Sequence, residues 1–256
     1  MRFYLQLAFT LLVTAFLIVP VVMSILAGVT ENFFIGLKSG LTLRWIGEVW
    51  GLYARTVYFS IGIALACLVV TLVLGVPAAY VLARAQNRWT RAFEELLVLP
   101  VAVPGLATAL ALILFYGQLR AFRASWTFIL VGHVLFTLPF MVRSVLAVMA
   151  AIDLGTLEDA AASLGARFAQ RFFHVVLPKA RPGIIAGSLM VVTLSMGEFN
   201  ITWMLHTPLT QTLPVGLADS YASMRLEIGS AYTVIFFFMI VPLLIALQWL
   251  AERTVR

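Results

Sequence analysis

The stretch EDAAASLGARFAQRFFHVVLP (residues 158–178) reads like the surface of a soluble protein. It sits in a chain of 256 residues that is 62% hydrophobic and only 11% charged. Ordinary soluble domains are about 45–50% apolar and about 25% charged. The excess is too large for a water-soluble core and implies an integral membrane protein. The question is why such a chain builds two short amphipathic helices with a glycine between them and a proline behind.

Outward from that stretch, six segments reach the ~20 apolar residues that cross a ~30 Å hydrocarbon layer. They lie near 3–28, 57–83, 94–117, 125–149, 184–205 and 231–250. None shows the alternating pattern of a membrane barrel, so the expected fold is all-α, with six transmembrane helices in a single domain spanning 1–256. The first apolar run, from Phe3 to about Val29, is longer than a signal core and is followed by no A-x-A site. It is expected to stay as a helix. The lone cysteine, Cys67, forms no intrachain disulfide.

Lys and Arg in the connections orient the spans, because cytoplasmic loops carry the excess. With the N-terminus inside, ten cations face the cytoplasm: Arg2, Arg84, Arg88, Arg91, Arg167, Arg171, Lys179, Arg181, Arg253 and Arg256. Six face outward: Lys38, Arg44, Arg55, Arg120, Arg123 and Arg225. Both termini are then cytoplasmic. The net charge of +6 follows from this bias; no basic run is dense enough to suggest nucleic acid.

Region 153–183 is therefore cytoplasmic. Thr156 and Asp159 fit a capping box, and Glu158 and Asp159 sit where the helix dipole favours anions. Leu157, Ala160, Ala161 and Leu164 make one apolar face. Gly165 stands where a left-handed residue ends a helix. A second periodic run follows with Phe168, Phe172, Val175 and Val176, and Pro178 and Pro182 are expected to stop it. A helix lying on the membrane surface needs a basic face and bulky anchors. The acidic, alanine-rich first helix lacks them, and docking to another protein is the better reading.

The pattern D-A-A-x-x-x-G, nine residues, then V-x-L-P (159–178) resembles the cytoplasmic EAA loop of bacterial binding-protein-dependent ABC importer permeases. Asp159 replaces the usual Glu and Val175 the frequent Ile; charge and branching are kept. LTLRWIGEVW (41–50), GHVLFTLPFMV (132–142) and TLSMGEFN (193–200) resemble the spermidine/putrescine branch, and related branches share parts of them.

The resemblance implies an inner-membrane, multi-pass subunit. A second permease, usually a different chain, two ATPase subunits and a periplasmic solute-binding protein would complete the importer. The loop would be a coupling helix seated on the ATPase, with Thr156, Glu158, Asp159, Ala160, Ala161, Leu164, Gly165, Phe168, Arg171 and Pro178 as its residues. A Walker A loop needs Gly-Lys. The two lysines follow Leu37 and Pro178, so a Walker A phosphate site, with ATP and Mg, belongs on a partner and this chain is a non-catalytic transport subunit.

A charge inside a span costs ~2.5–3.5 kcal/mol on insertion scales and usually faces protein or water. Glu198 is the clearest case. On a continuous helix it shares a polar face with Ser195 and Thr202, with Asn200 and Trp203 close by. An acid and an indole in a wet passage suit an organic cation, and the resemblance points to a polyamine-like one. The alternative is that Glu198 is hydrogen-bonded within the bundle. Gly197 stands where the family's second acid is usual. Pro100 and Pro104 either shape packing or unwind the third span beside the pathway. His133 is read as a packing residue, without metal-ligand partners. Arg143 lies in the inner half of its span, and Asp219, Tyr221 and Glu227 fall in an outer loop. Two other classes compete: an intramembrane enzyme using His133 or Glu198, which lacks a nucleophile constellation, and a self-sufficient secondary transporter, which lacks visible repeats.

Overall fold

A computed structural model describes residues 2–85 and 87–255, the last of them (250–255) by backbone alone. Met1 and Arg256, the chain ends that the charge count places inside, lie outside the described residues, as does the side chain of Arg253. The expected all-helical class holds: the β structure found among the described residues is one isolated bridge, Thr30 to Leu41.

The helices are α1 (Arg2–Ala27), α2 (Arg44–Ala85), α3 (Arg88–Ala102), α4 (Gly105–Tyr116), α5 (Arg120–Arg123), α6 (Trp126–Ala150), α7 (Leu154–Ser163), α8 (Phe168–Arg171), α9 (Leu177–Gly197), α10 (Asn200–Leu205), α11 (Leu213–Ala222) and α12 (Leu226–Val255). Five helices are long and apolar enough to cross a membrane, and a bent pair, α3 with α4, makes a sixth when counted as one span. The fold is therefore that of a multi-pass helical membrane protein.

Four expectations change. The second helix begins at Arg44 rather than near 57: Trp45–Arg55 holds no proline, and the helix runs through Gly47 and Gly51. The third span is bent by 100° between Ala102 and Gly105. Pro104 has no N–H to offer the turn before it, and the residue preceding a proline avoids the α region; Val103 is accordingly extended. The fifth span ends at Gly197, with Glu198 extended, and restarts as α10 at Asn200.

The fourth change concerns Pro178, which does not stop its helix. Helical backbone runs unbroken from Phe168 to Gly197. A widened turn at Phe172–Val176, in which the Leu177 N–H reaches back to the Phe172 carbonyl, precedes the proline. Such a turn relieves the clash that a proline ring makes with the carbonyl four residues earlier. The loop is thus not an independent helix-turn-helix: its second helix is the lower end of the fifth span.

The chain forms two compact units, Met1–Tyr58 with Leu213–Met239, and Phe59–Thr212 with Ile240–Arg256. In the first, Gly28 lets backbone approach backbone: a Cβ there would meet the Ser230 carbonyl oxygen at 2.6 Å. The Phe33 N–H donates to Glu227 at 3.0 Å, and the Trp45 indole to the Thr30 carbonyl at 3.0 Å. Arg225 donates to Tyr53 and to Glu48, both at 2.8 Å. Residues 2–20 of α1 expose their side chains along the whole length.

In the second unit α6 and α9 pack against each other. Gly183 and Gly187 make this possible: a Cβ on Gly183 would lie 2.6 Å from the Ser144 carbonyl oxygen, and one on Gly187 2.8 Å from the Met141 sulfur. Small residues at a helix crossing are how membrane helices gain close van der Waals contact. Cys67, Ala79, Met141, Val145, Val176 and Val191 fill the core around this seam. A second core joins Ile63, Ala109, Leu112, Phe128, Ile201 and Leu205.

Gly183→Val therefore overpacks the seam, at a typical cost of about 1–3 kcal/mol. It lowers the melting temperature of the purified chain in detergent. Gly197→Ala, where no neighbouring atom lies within 4 Å of the new Cβ, leaves it unchanged.

Candidate functional site: a pinned helix and a buried polar chain

The structure brings the sequence-predicted residues into two places, both in the second unit. The first is the loop. Asp153 caps α7: its carboxylate accepts from the Thr156 N–H at 3.1 Å and from the Thr156 hydroxyl at 2.6 Å. These bonds, that from the hydroxyl foremost, hold the Asp153 carboxyl below its usual pKa. The expected capping box of Thr156 and Asp159 is corrected: Thr156 lies inside the first turn as the donor. The D-x-x-T pattern at 153–156 carried that signal, since Asp is a preferred N-cap.

Asp159 falls past the first turn and is exposed. Its carbonyl accepts from the Ser163 hydroxyl, and its carboxylate makes no hydrogen bond among the described residues. Glu158 has the opposite environment. It is 0% exposed and accepts from the Tyr80 hydroxyl at 2.8 Å and from Arg84 at 2.6 Å. Arg84 also donates to the Tyr80 oxygen at 2.9 Å. Glu158 is thus not a dipole-facing surface acid but a pin between α7 and the end of α2. A buried carboxylate demands such partners, because leaving it unpaired costs far more than the pair gains. Tyr80 and Arg84 were missed in the sequence; their i, i+4 spacing on one helix face was the available sign.

Gly165 ends α7 as expected, with φ at +85°. Its N–H donates to the Ala162 carbonyl and the Ala166 N–H to the Ala161 carbonyl, the double closure that needs a left-handed residue. Several large apolar side chains are bare on the outer face of the loop, among exposed polar ones. Leu164 is 90% exposed, Phe168 and Phe173 each 58%, and Ala160 is exposed with them. Ala161 and Pro178 are half-buried. Arg171 is half-buried too, and its Nε is a buried donor with no partner among the described residues. Phe168 and Phe172 stack, and Phe172 meets Tyr80 edge-on at 5.4 Å.

The second place is the break in the fifth span. Glu198, 7% exposed, folds over the start of α10 and accepts from the Ile201 N–H at 2.7 Å, the Thr202 N–H at 2.9 Å and the Thr202 hydroxyl at 2.8 Å. The expected polar stripe on one continuous helix is therefore corrected: the helix breaks, and the acid caps its second half. His133, 1% exposed, bridges Ser195 and Thr202 at 2.8 Å on each ring nitrogen. A threonine hydroxyl has one proton. Thr202 gives its proton to Glu198, so a neutral His133 donates from Nε2 to Thr202 and accepts from Ser195 at Nδ1. The result is a directed chain, Ser195 to His133 to Thr202 to Glu198. Thr137 extends it, donating to the His133 carbonyl and lying 3.1 Å from the Cys67 sulfur.

Ser195, Glu198 and Thr202 are thus brought together, with His133, read from the sequence as a packing residue, at their centre. Asn200 is exposed outside this chain, and Trp203 is half-buried and packs on Phe199 with ring centroids 5.3 Å apart. Pro100 is half-buried and Pro104 exposed, flanking the other break. The two breaks lie side by side: a Cβ on Gly105, the first residue of α4, would meet the Asn200 Cβ at 3.0 Å. Arg123 closes α10 from the far end, donating to the Leu205 carbonyl at 2.7 Å, where a cation complements the helix dipole.

Residues 72–256 match the model of a family described as binding-protein-dependent transport system inner membrane component. The chain is 29% identical over 217 residues to the sulfate transport system permease protein CysW of Synechocystis sp., covering 79% of this chain and 78% of that one. It is 29% identical over 209 residues to the putrescine transport system permease protein PotI of Escherichia coli K12, covering 78% and 74%. Its fold is similar to a chain of the MetNI methionine ABC transporter in an inward-facing conformation, with a TM-score of 0.64 at 18% identity over 82% of this chain and 97% of that one.

Replacing Glu158 by Ala leaves the Tyr80 hydroxyl without its acceptor, and an unmet buried donor costs about 1–3 kcal/mol. Arg84, 47% exposed, turns to water, which keeps the loss near the lower end. Amide exchange across 154–165 accelerates while amides of 184–195 keep their protection, as read by hydrogen exchange of the purified chain.

Proposed function

We propose, since the chain belongs to the family of binding-protein-dependent transport system inner membrane components, that it forms half of an alternating-access pathway for a small organic solute. Members of this family are non-catalytic permease subunits of ABC importers whose ATPase is a separate chain. In the proposed assembly a second permease, a different chain, completes the pathway. Two ATPase subunits hold ATP and Mg below, and a periplasmic protein delivers solute above. The chain acts as a single permease domain of the inner membrane with both ends inside.

The observation that carries this reading is the bare face of α7 and its turn. A soluble-looking helix that exposes Leu164 and Phe168 while its other side is pinned by Glu158 has the form of a docking peg. Asp159, whose carboxylate is unengaged, is proposed to meet the ATPase. Thr156 and Glu158 hold the peg in place, Ala160, Ala161, Leu164, Gly165 and Phe168 form its contact surface, and Arg171 and Pro178 belong to its link with the fifth span.

Movement of the peg is proposed to reach the pathway at the paired breaks, where discontinuous helices support solute passage. Pro100 and Pro104 hold one break; Ser195, Glu198 and Thr202 brace the other, beside Asn200 and Trp203. The solute is proposed to be a polyamine-like cation. The putrescine relative and the indole of Trp203 support this. Glu198 contributes as the brace, because its carboxylate is already engaged. The sulfate relative has the same family architecture, so the class of solute is tested separately, by calorimetry of the cognate binding protein with putrescine and with sulfate; binding of sulfate alone overturns the cation.

Leu164→Arg and Gly165→Arg each place a long cation on the peg. Both reduce ATPase co-purification and solute uptake by about tenfold or more, a loss of ~1.4 kcal/mol in docking. Full co-purification by both variants sinks the peg reading. Glu198→Gln slows uptake while the complex still assembles, because an amide cannot accept all three bonds that the carboxylate accepts; unaltered uptake kinetics remove Glu198 from the pathway.

A further inference from the structure

A crevice of about 470 Å³ opens among the end of α2, the start of α3 and the end of α6. Leu82, Leu146 and Ala147 give it an apolar side, and three charged side chains line the rest: Arg91, Glu94 and Arg143. None of the three makes a hydrogen bond or ion pair through its side chain among the described residues. Thr90, which also lines the crevice, is already engaged, because its hydroxyl donates to the Asn87 carbonyl and accepts from the Asn87 N–H.

The depth is informative. Leu82 and Ala83 lie in the last turn of α2, Arg91 and Glu94 in the first turns of α3, and Ala150 ends α6. Arg143 stands seven residues before that end, roughly 10 Å along the helix at 1.5 Å per residue. A guanidinium at that depth reaches toward the interface along its own stem. The crevice therefore spans the boundary between acyl chains and headgroups, at the end of the spans that carries Arg84, Arg88 and Arg91.

Two guanidiniums recognise a phosphate, each offering paired donors to its oxygens. Basic pockets between spans on the cytoplasmic side are where lipid headgroups bind. A purely anionic headgroup would place its charge beside Glu94 and leave that carboxylate unmatched. A headgroup with both a phosphate and a primary ammonium answers all three side chains, and its acyl chains fit the apolar walls. We propose that this crevice is a binding site for an aminophospholipid of the phosphatidylethanolamine class, with Arg91 and Arg143 on the phosphate and Glu94 on the ammonium. The inference stands on the crevice and on a membrane-spanning chain; it does not need the transport reading.

The full-length chain is released from detergent micelles in a native mass spectrometer and titrated with dioleoyl phosphatidylethanolamine, dioleoyl phosphatidylglycerol or inorganic phosphate. The expected result is retention of one phosphatidylethanolamine in preference to phosphatidylglycerol, with no retention of phosphate. Arg143→Gln weakens that retention roughly tenfold, the loss expected for a charge-assisted contact, and Glu94→Gln reverses the preference toward phosphatidylglycerol. Should Arg91→Gln or Arg143→Gln fail to fold, Glu94→Gln alone decides, through the reversal. Equal retention of both lipids by the unaltered chain overturns the proposal. So does binding of free phosphate with the lipids' affinity, or a Glu94→Gln chain with unchanged preference.

Discussion

A backbone amide inside a hydrocarbon layer has no water to fall back on, and this constraint governs where the chain can break. Helices satisfy their amides internally; any interruption frees several. The fifth span is interrupted at Glu198, and the same residue supplies the remedy. Its carboxylate accepts from the Ile201 and Thr202 amides and from the Thr202 hydroxyl. Once Thr202 donates there, His133 must donate to Thr202 and accept from Ser195. One broken turn thus orders a buried hydrogen-bond chain that crosses from α9 to α6. The third span breaks at a proline, which frees fewer amides because it carries none itself. The second halves of both spans, α4 and α10, then begin next to each other, with Gly105 allowing the approach.

A second buried carboxylate does comparable work at the other end of the same unit. Glu158 ties α7 to Tyr80 and Arg84, while its sequence neighbour Asp159 is exposed and, among the described residues, its carboxylate accepts no hydrogen bond, although its charge still acts on Arg84. Adjacent acids in one helix have opposite fates because their side chains lie about 100° apart around the axis. The inward one must be neutralised by partners. The outward one is left with the exposed apolar residues Leu164 and Phe168.

The apolar spans and the glycine terminus were legible because they depend on composition and on one residue's conformational freedom. The same holds for the EAA-like spacing, which led to the permease family. What failed was what depends on which partner a side chain or a turn finds in the folded chain, near or far in sequence. Asp153 rather than Thr156 starts α7, because a cap is chosen by which side chain reaches the free amides. Glu158 looked like a surface acid because Tyr80 and Arg84 are more than seventy positions away. Glu198 looked like part of a stripe because Gly197 was not read as a helix end and the stretch has no proline; His133 and Thr202 hold the break together. Pro178 was misread for the converse reason. A proline ends a helix only if the preceding turn keeps its usual width, and here five residues widen it.

That widened turn has a mechanical consequence. From Phe168 to Gly197 the backbone is a single rod of 30 residues, about 45 Å at 1.5 Å per residue. The helix is continuous between the loop and the Glu198 break. Helical hydrogen bonding continues along it; the geometry widens at Phe172–Val176 near one end and stops at the carboxylate-capped interruption at the other. A tilt imposed at the loop end of a stiff rod also displaces its other end, where this span already comes apart.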